Sequence, residues 1–153
     1  MGSAHLHVPD VPRESLADLT ARLRHGSRRV TGARQAILRV LRQERRPLTV
    51  REIRDDLTGT RCDLATIYRS LGMLTELGLV KRFDFGDGSA RFELIGDGGG
   101  SHHHHHLVCN RCTRIVEIDE CFPEELEKSI ARQNGFQAVT HRLEFFGLCP
   151  ECQ

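Results

Sequence analysis

Hydrophobic positions between residues 12 and 78 repeat every three or four residues, the spacing of helices that bury one face. Four helices are predicted, and each begins at a residue suited to that place: Pro12, Thr31, Thr49 or Asp63. Glu52 follows Thr49 by three residues and completes a capping box. Gly26, Gly59 and Gly78 end the first, third and fourth helices. The residues predicted to face inward are Leu16, Leu19, Leu23, Ile37, Leu38, Leu41, Leu64, Ile67, Leu71 and Leu74.

After Gly78 the apolar positions alternate, which is typical of strands. Phe83 and Phe85 are predicted to face Ala90, Phe92 and Leu94 across a turn at residues 86 to 88, whose sequence Gly-Asp-Gly favours a hairpin. Short helices followed by a hairpin have the element order of a winged helix-turn-helix, so the N-terminal part of the chain is predicted to bind DNA.

The last 52 residues predict a small α/β unit. Residues 107 to 108 and 115 to 118 are strand candidates, and Pro123 can open a helix that carries Leu126 and Ile130 and ends at Gly135. Residues 136 to 148 alternate, with Val139, His141, Leu143 and Phe145 on one predicted face. The chain is therefore predicted to be α+β.

A glycine-rich segment at residues 96–101 separates the two parts and is predicted to be a flexible hinge. Residues 1–95 carry 17 Lys and Arg against 12 Asp and Glu, a net charge of +5, whereas residues 96–153 carry 5 against 9, a net charge of −4. The basic part is the candidate for a polyanionic partner. The predicted domains are therefore a DNA-binding domain at 1–95 and a second domain at 102–153.

Four cysteines form two CxxC pairs: Cys109 with Cys112, and Cys149 with Cys152. Two such pairs can supply the four thiolates of a tetrahedral structural zinc, which leaves no position open for a substrate. The alternative is a set of disulfides or buried thiols. The chain has no secretory signal and no apolar stretch long enough to span a bilayer, so a cytoplasmic protein is expected and disulfides are disfavoured. Cys62 and Cys121 lie outside the pattern and are expected to be small buried residues.

In the predicted winged helix, the fourth helix would enter the major groove with its N-terminal residues. Tyr68 and Arg69 would lie on its exposed side and suit contacts to base edges, together with Ala65 and Thr66. Arg34 and the pair Arg28 and Arg29 suit phosphate contacts. The alternative for any one arginine is a solvated helix face.

Five consecutive histidines, His102 to His106, precede the first CxxC pair. In a strand, His103 and His105 would point to one side and His104 and His106 to the other, so one run can serve two metal sites. His141 and Glu124 are candidates for one site, and Glu93 is a candidate for the other. A hydrogen-bonded core histidine is the alternative for His141, and a polar loop is the alternative for the run.

These features together resemble the ferric uptake regulator (Fur) family of metal-dependent repressors. The resemblance covers the chain from about Arg13 to Cys152 and is carried by Val30-Thr31-(x)2-Arg34, Leu64-Ala65-Thr66-Ile67-Tyr68-Arg69, Phe92-Glu93-Leu94, and His102 to His106 followed by Leu107-Val108-Cys109-(x)2-Cys112.

The resemblance implies a homodimer that binds a double-stranded DNA operator, with a C-terminal dimerisation domain and a structural Zn²⁺. It implies a regulatory metal at Glu93, His104 and His106. It also implies a second site at His103, His105, Glu124 and His141. Under the resemblance, His141 is expected to be a ligand.

The identity of the regulatory metal is left open by one departure from the family. Iron-type members usually have a histidine in the loop after the second helix. Here that loop, residues 44 to 47, ends at Pro47 and contains no histidine. His5, His7, His25 or water are alternatives for completing the site. Glu93 stands where zinc-sensing members have a cysteine and peroxide-sensing members an aspartate, which favours Fe²⁺, with Zn²⁺ or Mn²⁺ as alternatives.

Two other classes of protein are alternatives. A metal-storage or delivery protein would explain the histidines but not the winged helix. A zinc hydrolase would need an open metal site, and the chain has no HExxH motif. The chain is therefore predicted not to be an enzyme, and no membrane or organic small-molecule substrate is expected.

Overall fold

The structure, a computed structural model, describes residues 15–25, 29–44, 46–59, 62–95, 105–118 and 124–153. The described residues belong to two compact units, one within residues 9–97 and the other within 98–153. The predicted hinge, Pro12, Arg28 and Cys121 lie outside the described residues, and the domain boundaries stay a prediction.

The N-terminal unit contains the four predicted helices: α1 (Leu16–His25), α2 (Gly32–Gln43), α3 (Val50–Asp56) and α4 (Leu64–Glu76). The predicted caps of α2, α3 and α4 are confirmed. Thr31 accepts a hydrogen bond from the backbone of α2, and Asp63 accepts one from the N–H of Thr66 at 2.6 Å. The capping box of α3 is complete, because Thr49 and Glu52 each accept from the other's backbone. These bonds satisfy N–H groups that a helix start leaves without intrahelical partners.

The core lies between the helices and a small sheet, and its fully buried members include leucines and isoleucines from every N-terminal helix. Ile67, Leu71 and Leu74 of α4 are completely buried, as predicted. Leu64 is 40% exposed, so its predicted inward position is wrong. It lies in the first turn of α4, where the start of the helix extends beyond the core.

The predicted hairpin is confirmed as β2 (Val80–Asp84) and β3 (Ala90–Leu94), but its predicted facing pairs are wrong. Phe83 pairs with Arg91 rather than with an apolar residue. A two-residue strand that the alternation did not predict, β1 (Leu48–Thr49), pairs with the other edge of β3. Because β3 is the central strand, consecutive residues of β3, including Phe92 and Glu93, are buried.

An ion pair between buried Arg91 and exposed Asp87 holds the tip of this hairpin. Arg91 is 5% exposed and donates two hydrogen bonds to Asp87, at 2.8 and 2.7 Å. Its guanidinium also lies 5.6 Å from the centre of the Phe85 ring. The hydrogen bond from Arg91 lowers the pKa of Asp87 to about 2, so the pair stays charged at neutral pH. These contacts join the turn to strand β3.

The C-terminal unit contains a second three-stranded sheet: β4 (His105–Cys109), β5 (Ile115–Ile118) and β6 (Glu144–Gly147), with a helix, α5 (Glu124–Asn134). Strand β4 is central, antiparallel to β5 and parallel to β6. The prediction of an alternating strand from residue 136 is wrong for residues 136 to 143, because the ladder with β4 begins only at Glu144. The α+β class is confirmed. Among the described residues, no helix is both long enough and apolar enough to cross a membrane.

Candidate metal centres and nucleic-acid interface

The two CxxC pairs come together in the C-terminal unit. The sulfur atoms of Cys109, Cys112, Cys149 and Cys152 all lie within 4.8 Å of one another. The sulfurs of Cys112 and Cys149, which belong to different pairs, are 3.6 Å apart. Four thiolates bound tetrahedrally at a Zn–S distance of about 2.3 Å would be separated by about 3.8 Å. The cluster therefore fits a structural zinc.

Backbone hydrogen bonds shape the first cysteine turn. The N–H of Thr113 donates to the carbonyl of Cys109 at 3.0 Å, and the N–H of Cys109 donates to the carbonyl of Arg114 at 2.9 Å. Thr113 has a φ of 59°, which lets the chain reverse between β4 and β5. The turn thus joins the paired strands β4 and β5, and Cys109 is the last residue of β4.

Arginines join the two cysteine turns. Arg111 donates to the carbonyl of Cys152 at 2.9 Å, and Arg114 contacts both carboxylate oxygens of Glu151 at 2.7 Å. Both contacts span about 40 residues of sequence and bring the second CxxC pair to the first. These two contacts could not be predicted from the sequence, because the arginines and their partners come close only after the sheet has formed.

The environment of the four thiols favours binding of a cation. Backbone N–H groups, first that of Cys112 and then that of Cys149, lower the pKa of Cys109 to about 6. The pKa of Cys152 is instead raised to about 12. The largest cause is a side-chain hydrogen bond with Cys149, and burial adds to it. Several thiolates this close repel one another, so they can all ionise only around a cation such as zinc.

A second cluster joins β4 to the segment before β6. Nε2 of His105, which is 2% exposed, lies 3.3 Å from Nε2 of His141. Two imidazole nitrogens bound tetrahedrally at about 2.0–2.1 Å from a metal would also be about 3.3 Å apart. The other ring nitrogen of His141, Nδ1, lies 2.7 Å from Oε1 of Glu127. Of the predicted set, His105 and His141 are thus brought together.

The sequence analysis did not predict a role for Glu127, although it assigned another carboxylate of the same helix, Glu124, to this site. Glu124 is the first residue of α5, and its side chain lies outside the described part of the structure, as does His103. Glu124 and Glu127 are three positions apart in the chain, so both lie on nearby positions of one helix face. Only the packing of α5 reveals that Glu127 contacts His141.

His106 lies in the middle of a row of polar side chains. It is 1% exposed and pairs with Glu117 of β5 on one side and with Glu144 of β6 on the other. Residues paired in this way point to the same face of a sheet, opposite to the face of His105. Both carboxylates were missed from sequence, since their positions depend on strand register. His104 lies outside the described residues, and Glu93 is buried in the N-terminal unit.

The first turns of α4 present a polar surface. Tyr68 is 57% exposed, Ala65 and Arg69 are also exposed, and Thr66 is half-buried. Arg69 donates to the hydroxyl of Thr66 at 3.1 Å, which orders its guanidinium along the helix. Arg34 donates to the backbone carbonyl of Arg29 and so holds the segment before α2, and its contact with phosphate stays a prediction.

The chain matches the sequence model described as "Ferric uptake regulator family" over residues 25–146. The chain belongs to the ferric uptake regulator family. A similar curated protein is the peroxide-responsive repressor PerR of Staphylococcus aureus, which is 34% identical over 140 residues, or 90% of this chain and 91% of PerR.

Solved Fur structures have the same fold. The Fur protein of Vibrio cholerae is 33% identical, with a TM-score of 0.72, covering 86% of this chain and 100% of that one. The Fur protein of Pseudomonas aeruginosa, solved with manganese, is 31% identical, with a TM-score of 0.66, covering 86% of this chain and 97% of that one. This Fur-family chain thus has an N-terminal DNA-binding domain and a C-terminal dimerisation domain.

Membership assigns the general function. Fur-family proteins are repressors that bind DNA and metals, and this chain is a metal-responsive transcriptional regulator rather than a member of an enzyme family. Its four-cysteine cluster fits the structural zinc expected for such a regulator. Its relatives include both peroxide-responsive and ferric uptake regulators, so membership alone leaves the regulatory metal open.

Proposed function

We propose that this Fur-family protein is an iron-responsive repressor, which binds palindromic operators as a homodimer when Fe²⁺ occupies its regulatory site. The row formed by Glu117, His106 and Glu144 supports this proposal most directly. An imidazole flanked by carboxylates is a nitrogen and oxygen ligand set, which suits Fe²⁺ or Mn²⁺ better than a thiolate set would.

The proposed regulatory ligands are Glu93, His104 and His106, and the register adds Glu117 as a further candidate. The proposed second metal site comprises His103, His105, Glu124 and His141. Consecutive residues of a strand point to opposite faces, so His105 and His106 can serve separate sites. The distance of 3.3 Å between Nε2 of His105 and Nε2 of His141 supports the second site.

An exposed apolar surface supports the proposed homodimer. Val116, Leu107 and Phe145 are paired across the sheet and are 49%, 40% and 37% exposed in the single chain. Leu126 and Ile130 of α5 are also exposed. Such a surface is typical of an interface, and a second copy of the chain is the partner that the family implies.

The proposed regulation works through the orientation of the DNA-binding unit. Because the proposed ligands come from both units, a shared ion would favour one arrangement in which the two α4 helices of a dimer fit successive half-sites. A change from a 1:99 to a 99:1 population requires a preference of about 5.5 kcal/mol for the favoured state, which a site with several protein ligands can supply. Repression would end when cytoplasmic Fe²⁺ falls.

Arg69 tests the DNA surface. We expect Arg69→Ala to weaken operator binding by about 10- to 100-fold and to reduce discrimination between operator sequences, because an arginine that contacts base edges contributes about 1–3 kcal/mol. Fluorescence anisotropy with operator and mutated operator fragments at fixed salt measures both effects.

A matched control for Arg69 is Arg132→Ala, which removes the same charge from α5 in the other unit. The control should bind the operator like the wild type. An equal loss in both variants would indicate a general electrostatic effect, and an unchanged Arg69→Ala protein would refute the assigned contact.

The regulatory metal can be identified by anaerobic operator titrations of the zinc-containing protein with Fe²⁺, Mn²⁺, Zn²⁺ and Ni²⁺. We expect Fe²⁺ to give at least a tenfold gain in operator affinity at micromolar free ion, with Mn²⁺ as a weaker substitute because it prefers similar ligands. A response to Zn²⁺ alone would contradict the proposal.

Peroxide sensing is a second candidate function, favoured by the 34% identity to PerR. Adding hydrogen peroxide to the Fe²⁺-loaded and the Mn²⁺-loaded proteins separates the two. An iron sensor regains operator binding after fresh Fe²⁺ is supplied. A peroxide sensor is permanently inactivated in the Fe²⁺ form only, since Fe²⁺ reduces peroxide next to its ligands and Mn²⁺ does not.

A further inference from the structure

Glu127 makes contacts with His141 that the proposed ligand sets do not explain. Its Oε1 atom accepts a hydrogen bond from the backbone N–H of His141 at 2.9 Å and lies 2.7 Å from Nδ1 of the same residue. Both groups are about four-fifths buried. One carboxylate oxygen therefore holds both the backbone and the ring of a candidate ligand.

The hydrogen-bond pattern determines the tautomer of His141. An ionised carboxylate can only accept hydrogen bonds, so Nδ1 must carry the proton that it shares with Glu127. In the neutral imidazole, Nε2 then carries the lone pair with which the ring can accept a hydrogen bond or coordinate a metal. That nitrogen lies 3.3 Å from Nε2 of His105.

Glu127 and His105 lie on opposite sides of the His141 ring. Glu127 contacts Nδ1, whereas His105 faces Nε2, the other nitrogen of the ring. Within the described part of the chain, the four cysteines form the only group of three or more potential ligands whose donor atoms lie within 4.8 Å of one another. Glu127, His105 and His141 thus do not form such a group, which favours a role for Glu127 that acts through His141.

We propose that Glu127 is a positioning residue for the second metal site, which fixes the tautomer and ring orientation of His141 so that its Nε2 atom faces the metal. This inference rests on the proposed second site. A carboxylate on the remote nitrogen of a histidine ligand also makes the ligand more basic, and loss of such a partner typically lowers metal affinity 10- to 100-fold.

Tautomers can be measured without metal. In ¹⁵N-histidine NMR spectra of the zinc-containing dimer at a pH where imidazoles are neutral, we expect His141 to be protonated at Nδ1. Glu127→Ala should produce a mixture with the Nε2–H form, whereas Glu127→Gln should keep the wild-type tautomer because its amide oxygen still accepts. An unchanged tautomer in Glu127→Ala would overturn the proposal.

Metal affinity provides the second measurement, with Co²⁺ as the probe. The absorption that is missing in His141→Ala identifies the second site. We expect Glu127→Ala to weaken Co²⁺ binding there 10- to 100-fold without changing the shape of the spectrum, and Glu127→Gln to fall between it and the wild type. Glu125→Ala, an exposed carboxylate on the same helix, should bind like the wild type.

The outcomes separate the inference from the site on which it rests. A changed Co²⁺ spectrum in Glu127→Ala would show that Glu127 is a ligand and would overturn the positioning role. If His141→Ala loses no absorption, the second site itself is refuted, while the tautomers still report whether Glu127 orients His141. Wild-type affinity in Glu127→Ala would also overturn the proposal.

Discussion

Replacement of Cys152 by serine should release the structural zinc and destabilise the whole C-terminal unit. Cys152 is buried and completes the set of four sulfurs, while the described residues of this small unit have few other buried apolar side chains. Structural zinc sites in small domains provide apparent binding free energies of about 10–16 kcal/mol, which is more than a unit of this size gains from its core. We therefore expect loss of the dimer as well as loss of zinc.

Metal analysis by mass spectrometry, thermal unfolding and size-exclusion chromatography together measure this effect. Cys62→Ser is the matched control, because Cys62 is a partly buried cysteine of the other unit and packs against the core there. The control should keep its zinc and remain dimeric. A Cys152→Ser protein with normal zinc content and normal thermal stability would show that the cluster does not hold the unit together.

The double substitution of His104 and His106 by alanine should abolish metal-dependent operator binding and leave a folded, zinc-containing dimer. His106 is buried on the sheet face opposite His105 and does not belong to the four-cysteine cluster. Without these imidazoles, a regulatory ion would lose the preference of about 5.5 kcal/mol needed to shift the population. The operator affinity should then be the same with and without Fe²⁺, within about twofold.

Anaerobic anisotropy titrations with Fe²⁺ or Mn²⁺ test this expectation, and bound zinc is counted in the same samples. His102→Ala is the control, since His102 belongs to the histidine run but to neither proposed site. It should respond to metal like the wild type. Loss of zinc or of the dimer in the double variant would contradict the separation of structural and regulatory roles.

The helical part of the fold could be predicted in detail because its determinants are local. Thr31, Thr49 and Asp63 cap α2, α3 and α4 as predicted, since a capping bond joins residues only two or three positions apart. The facing pairs of the hairpin were predicted wrongly, because the register also depends on Arg91 and on β1, which covers the other edge of β3.

The metal centres also combine features that depend on local spacing with features that depend on the tertiary structure. The spacing of the cysteines was enough to predict their cluster, because two CxxC turns restrict the possible geometry. The histidine run predicted two faces but not the neighbours on each face. Glu117 and Glu144 reach His106 through strand pairing, and Glu127 reaches His141 through the packing of α5.

The helix caps, most of the buried helix positions, the cysteine cluster and the family could be predicted from the amino-acid sequence, because each depends on spacing along the chain. The carboxylates that stand beside each histidine could not be predicted, because they depend on strand register and helix packing. Those contacts join residues 11 to 38 positions apart, and a shift of one residue in a strand would move every side chain to the opposite face.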